Sequence, residues 1–156
     1  MANVNHSSLT DPLIHEPKGV ASASVGKVYV ANGSGSGTWT ASTSLIQDTF
    51  FGSFASVSTG QILHIPVPFA GTVVKVITVL EGSISSANAI ITVKNAAAAS
   101  MGTLTITQAG SAAGDIDSLV PSSNNSIADN SFLTITTDGG SSTATILRFT
   151  IVLDRT

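Results

Sequence analysis

The chain has no cysteine, which excludes disulfides and thiolate metal sites. Charge is scarce too: 10% of its 156 residues are Asp, Glu, Lys or Arg, and the net charge is −3. The cations Lys18, Lys27, Lys75, Lys94, Arg148 and Arg155 are scattered. Nucleic-acid binding needs a local field of Lys and Arg that displaces counterions from phosphates, and the sequence shows none. No basic amphipathic stretch suits a membrane surface. No apolar run nears the roughly 18 residues of a membrane helix. Neither nucleic acid nor membrane is therefore expected as a partner. The opening Met1-Ala2-Asn3-Val4-Asn5-His6 lacks a basic region followed by an apolar one, so no secretory signal is expected there.

Catalytic side chains are equally thin. The histidines are His6, His15 and His64. His6 and His15 fall in a segment with no core-forming pattern, where a base could not be held to catalytic tolerance. His64 sits between Leu63 and Ile65 and reads as a structural or surface residue. There is no Gly-x-Ser-x-Gly elbow and no His-x-x-x-His pair. Asp115 and Asp117 could share a face and bind a hard cation, but the further oxygen ligands of a calcium loop are missing. They read as a solvated loop with Asx hydrogen bonds. Asp48 and Glu81 have no acidic neighbour in sequence, so glycosidase chemistry is unsupported. Gly33-Ser34-Gly35-Ser36-Gly37 lacks the Lys and the helix of a phosphate-binding loop and reads as a hairpin turn. No enzyme activity, cofactor or metal is expected.

What is present favours β-structure. Apolar residues make up 42% of the chain, and Ser and Thr about a quarter. That profile suits strands with small hydroxyl side chains at turns and exposed faces. Strands are expected at 61–66, 72–80, 88–94, 102–107, 131–137 and 144–153, with another possible at 45–51. Between them lie turn clusters such as Pro68-Phe69-Ala70-Gly71, Pro121-Ser122-Ser123-Asn124-Asn125 and Asp138-Gly139-Gly140. Short strands at this spacing indicate an antiparallel β-sandwich, jelly-roll-like, over residues 45–156. In the last strand Leu147, Phe149, Ile151 and Leu153 alternate with Arg148, Thr150 and Val152, the mark of a half-buried strand. Both faces of Thr72–Leu80 are mostly apolar. Such a strand is central in the fold or covers a subunit interface, with Val74, Val76 and Ile77 as the interface candidates.

Residues 1–44 differ. Pro12 and Pro17 deny backbone donors and push their predecessors toward extended geometry. Residues 1–26 read as an extended arm and 27–40 as a hairpin, turned at Asn32-Gly33. The arm has too few apolar residues for a core of its own, so it is expected to gain order by lying on another surface. Leu13, Ile14, His15, Glu16 and Pro17 are its attachment candidates, with Tyr29 and Trp39 on the hairpin. Those two aromatics could be interface anchors, the local core of the hairpin or a sugar platform.

The stretch Leu13-Ile14-His15-Glu16-Pro17-Lys18-Gly19-Val20-Ala21, with Val28-Tyr29-Val30-Ala31-Asn32-Gly33-Ser34-Gly35-Ser36-Gly37-Thr38-Trp39, resembles the N-terminal segment of tailed-bacteriophage virion proteins. Among these are head decoration, head-fibre and some tail-associated proteins. Ile65 through Gly82 looks like a β-domain of similar phage structural proteins. The resemblance implies a virion role, an N-terminal attachment arm and a homotrimer. The leading expectation is a protein made in the host cytoplasm that decorates or cements the outer capsid surface, docking on the major capsid protein or another virion protein. The alternative is a tail-fibre or adhesin module that binds host glycans.

Overall fold

A computed structural model describes residues 23–34, 37–42 and 46–156. The chain divides into two units, with the boundary between Ser44 and Leu45. In the first, Lys27–Ala31 (β1) pairs antiparallel with Gly37–Ala41 (β2). Asn32 begins the turn by accepting a hydrogen bond from the Ser34 N–H at 2.9 Å, and Gly33 takes φ +76°. This Asx geometry fixes the register and sets Tyr29 opposite Trp39. The two rings meet edge to face, 5.3 Å between centroids.

The second unit is all β. Its strands are Gln47–Phe54 (β3), Gln61–Val67 (β4), Gly71–Leu80 (β5), Ala89–Asn95 (β6), Ser100–Ile106 (β7), Ile116–Leu119 (β8), Ser126–Ile127 (β9), Ser131–Thr137 (β10) and Leu147–Arg155 (β11). One sheet has the order β3-β11-β5-β8, with β9 also on β5; the other has the order β4-β10-β6-β7. Setting aside the two-residue β9, eight strands pair in a nested way. The first joins the last (β3 and β11), and then β4 joins β10, β5 joins β8 and β6 joins β7, all antiparallel. A long paired ribbon rolled on itself gives this pattern, which is the jelly roll. The expected antiparallel sandwich is thus present.

One apolar core joins the sheets. Phe54, Val73, Val76, Leu80 and the inward row Leu147, Phe149, Ile151 and Leu153 meet Val67, Ile91, Val93, Leu104, Ile106, Leu133 and Ile135. The alternation read in the last strand is the one observed. Phe149 fits because its partner Gly52 has no side chain: a Cβ there would lie 2.3 Å from the Phe149 ring. Bulk at position 52 and the Phe149 ring are mutually exclusive.

The central strand β5 departs from strict alternation. Against β11, Val152 pairs with Lys75 but Leu153 with Val73, so Val74 is an extra residue. This β-bulge shifts the phase by one. Val76, Thr78 and Leu80 are buried on one side of it, and Val73 on the other. On the other side of β5, just before β9, Asn125 meets the bulged segment. Its carbonyl accepts the Val73 N–H at 2.8 Å, and its side-chain amide donates to the Val73 carbonyl at 2.9 Å.

Hydroxyls tie the loops. The buried Ser141 Oγ donates to the Ser85 carbonyl at 3.2 Å and accepts from the Ser85 and Thr143 N–H groups. Ser86 and Ser142 hydroxyls meet at 2.6 Å. The Ser-rich composition therefore serves loop closure as well as exposed faces.

Candidate interaction surface

The outer face of the β3-β11-β5-β8 sheet is set by register. One row across it reads Phe51, Thr150, Ile77, Ser118, and the next reads Ser53, Arg148, Val79, Ile116. A third places Thr49, Val152 and Lys75 together. Phe51 is 74% exposed and Ile116 68%, while Ile77, Val79 and Val152 are half-buried. Val120, just past β8, is 69% exposed. Large side chains left in water make this face the candidate contact surface of the body. The face also carries charge: Arg148 donates from Nε to Glu81, an exposed ion pair. At the end of the sheet Arg155 holds Asp48 through two hydrogen bonds and lies 3.8 Å from the Phe69 ring centroid. The hydrogen bond to Asp48 raises the Arg155 pKa further above its ordinary value.

The outer face of the second sheet is rich in threonine. His64 lies exposed on it, its ring edge-on to Phe132 at 5.3 Å and its Nδ1 3.1 Å from Thr134 Oγ1. The surface role read from sequence matches this placement. A shallow depression beside it is lined by Ile62, His64, Lys94, Phe132, Thr134 and Thr136.

Asp115 and Asp117 part company. The Asp115 carboxylate accepts the Ala112 N–H at 2.7 Å, the expected turn role. Asp117 is in strand β8, not in a loop, which corrects the sequence reading. It pairs with Thr78 on the inward-facing side, so desolvation, with Asp115 adding repulsion, pushes its carboxyl pKa up. Among the described residues no three His, Asp or Glu side chains gather where they could hold a metal ion.

Of the residues singled out from sequence, Tyr29 and Trp39 meet each other. Leu13, Ile14, His15, Glu16 and Pro17 lie outside the described residues. Val76 is corrected: it is 0% exposed in its own core and has no surface to offer a sister subunit. Val74 and Ile77 are half-buried and outside that core. Sequence reasoning missed Phe51, Ile116 and Val120. The signal for Phe51 was available, because period two from Phe50 and Phe54 sends Phe51 to the other face.

No protein-family model matches the chain, and no curated protein matches it significantly. Solved structures of similar shape include two phage capsid chains. One is a chain of the acid-stable capsid of Helicobacter pylori bacteriophage KHP30, with TM-score 0.48 and 11% identity over 69% of this chain and 86% of that one. The other is a chain of the cyanophage Pam1 capsid asymmetric unit, with TM-score 0.44 and 10% identity over 100% of both chains.

Proposed function

We propose that this protein is a non-enzymatic structural component of a bacteriophage virion that decorates or cements the outer capsid surface. Residues 1–44 are the attachment segment and the jelly roll is the body they carry. The observation that carries this reading is the uncovered apolar face around Phe51, Ile77, Val79 and Ile116, a surface suited to standing contact with other proteins. The resemblance of residues 13–39 to phage attachment segments agrees with it. So does the division of the chain into two units.

The mechanism is adhesion. Leu13, Ile14, His15, Glu16 and Pro17, with the Tyr29–Trp39 pair, supply apolar contact and backbone hydrogen bonds to a capsid protein. Each arm contributes modestly, and a homotrimer multiplies the effect through effective concentration. Val74 and Ile77 offer further contact to the capsid or to a sister subunit.

Co-sedimentation with capsids that lack the protein tests the reading. Deletion of residues 1–44 is expected to leave a folded body that no longer binds. In the full chain, replacing Tyr29 and Trp39 together by Ala should weaken binding at least tenfold, the scale of losing an aromatic anchor. Full occupancy by the truncated body would overturn the arm assignment. Glycan binding without capsid binding would favour the adhesin alternative.

A further inference from the structure

A sandwich of two open sheets has four edge strands, and proteins usually blunt such edges against stray pairing. In the second sheet both edges are blunted. Strand β4 carries Pro66, which removes a donor, and β7 carries a bulge at Met101 beside Gly102, whose φ is +142°. In the first sheet β3 has no such protection. It runs eight residues against β11 without a register shift, contains no proline or lysine, has its one charge, Asp48, paired with Arg155, and carries Phe51 at its middle. The opposite edge, β8, is only four residues long, yet Ile116 and Val120 there are among the most exposed apolar side chains of the body.

We propose that the β3 edge of one copy pairs with the β8 edge of the next, so that copies of this chain close into a ring. Three features favour this occupant. First, strand direction matches. Strands alternate in the order β3, β11, β5, β8, so β8 runs opposite to β3. Rotation about an axis along the strands keeps directions, and β3 then meets the neighbour's β8 antiparallel. Second, Phe51 and Ile116 lie on the same outer face of their sheet, so a continued sheet sets them side by side. A two-fold pairing of β3 with β3 would leave Ile116 and Val120 in water. Third, the outward residues Thr49, Phe51 and Ser53 of β3 and Ile116 and Ser118 of β8 carry no charge, and of the two carboxylates on these strands, Asp48 and Asp117, the first is already neutralised by Arg155. A head-to-tail contact of this kind makes a ring when its rotation closes. The number three rests on the virion reading above; the edge pairing does not.

The absence of cysteine gives a clean test by disulfide trapping in the full chain. β3 and β8 are separated by β11 and β5, about 14 Å by strand spacing, too far for a bond within one copy. Ser53→Cys or Thr49→Cys, each combined with Ser118→Cys, is expected to yield covalent trimers on mild oxidation. Phe51→Glu should weaken assembly by roughly thirtyfold or more in sedimentation while the circular dichroism spectrum stays that of a folded β-protein. Covalent dimers from Ser53→Cys or Thr49→Cys alone would overturn the proposal, because β3 would then be pairing with itself. A monomer at tens of micromolar, or an assembly that neither cysteine pair traps and Phe51→Glu leaves intact, would overturn it as well. A closed ring of another size upholds the edge pairing and counts against the trimer alone. Capsid binding is not among the readouts, so failure of the ring and failure of the virion role are separable.

Discussion

At the scale of single residues, the fold holds one carboxylate against its preference. Asp117 points from an edge strand toward the side that Thr78 occupies, and burial with Asp115 nearby raises its pKa. A raised acid pKa means that the native state binds the proton more tightly than the unfolded chain does. The ionised Asp117 therefore subtracts stability at neutral pH, and the penalty fades as pH falls through its native pKa toward the ordinary carboxylate value. Asp117→Asn removes the penalty. The variant should be more stable than wild type by about 0.5 kcal/mol at neutral pH, a partly screened effect, with the advantage gone near pH 3.5. Urea titrations at both pH values check this. An advantage that grows in acid would refute the sign.

At the scale of the element, β5 shows what the sequence made legible and what it hid. Period-two alternation located β4, β6, β7, β10 and β11 closely, and Asn32-Gly33 located the hairpin, because these signals are local. The bulge is not local: it shows in the pairing with β11, and beside it Asn125, about fifty residues away, satisfies the backbone of Val73 from the β9 side. Both faces of this strand read as apolar, which left Val74, Val76 and Ile77 together as interface candidates, and strict alternation would put Val74 and Val76 on one face. The extra residue instead sends Val76 and Val73 inward. Strand β8 was hidden for a related reason, since Ile116 flanked by two aspartates gives no apolar run and pairing with β5 makes it a strand. Asn125→Ala should cost about 1–3 kcal/mol, because the carbonyl of the fully buried Val73 loses its donor. Asn125→Asp should be no better, since a carboxylate oxygen cannot donate to that carbonyl. A lower denaturant midpoint with an unchanged slope is the expected reading.

At the scale of the whole molecule, nested pairing makes the body depend on its last strand. β11 lies between β3 and β5 and hydrogen-bonds both, joining them in one sheet. It also supplies Leu147, Phe149, Ile151 and Leu153, none more than 3% exposed. Burying four such side chains at ~2 kcal/mol each is worth ~8 kcal/mol, comparable with the entire margin of a domain this size. The pairing of β3 with β11 also closes the longest loop in the body, so the entropy of ordering comes before its reward. A chain ending at Ile146 should therefore not be a weakened body but an unfolded one. It would show no cooperative thermal transition and be cleaved throughout by a protease at a concentration that spares the full chain. Strand β3 would then lack the neighbour that it hydrogen-bonds within its own chain among the described residues, and be prone to aggregate. A soluble, protease-resistant product from that truncation would mean that β4 to β10 form a self-sufficient core, and that the jelly roll is closed, rather than held together, by its final strand.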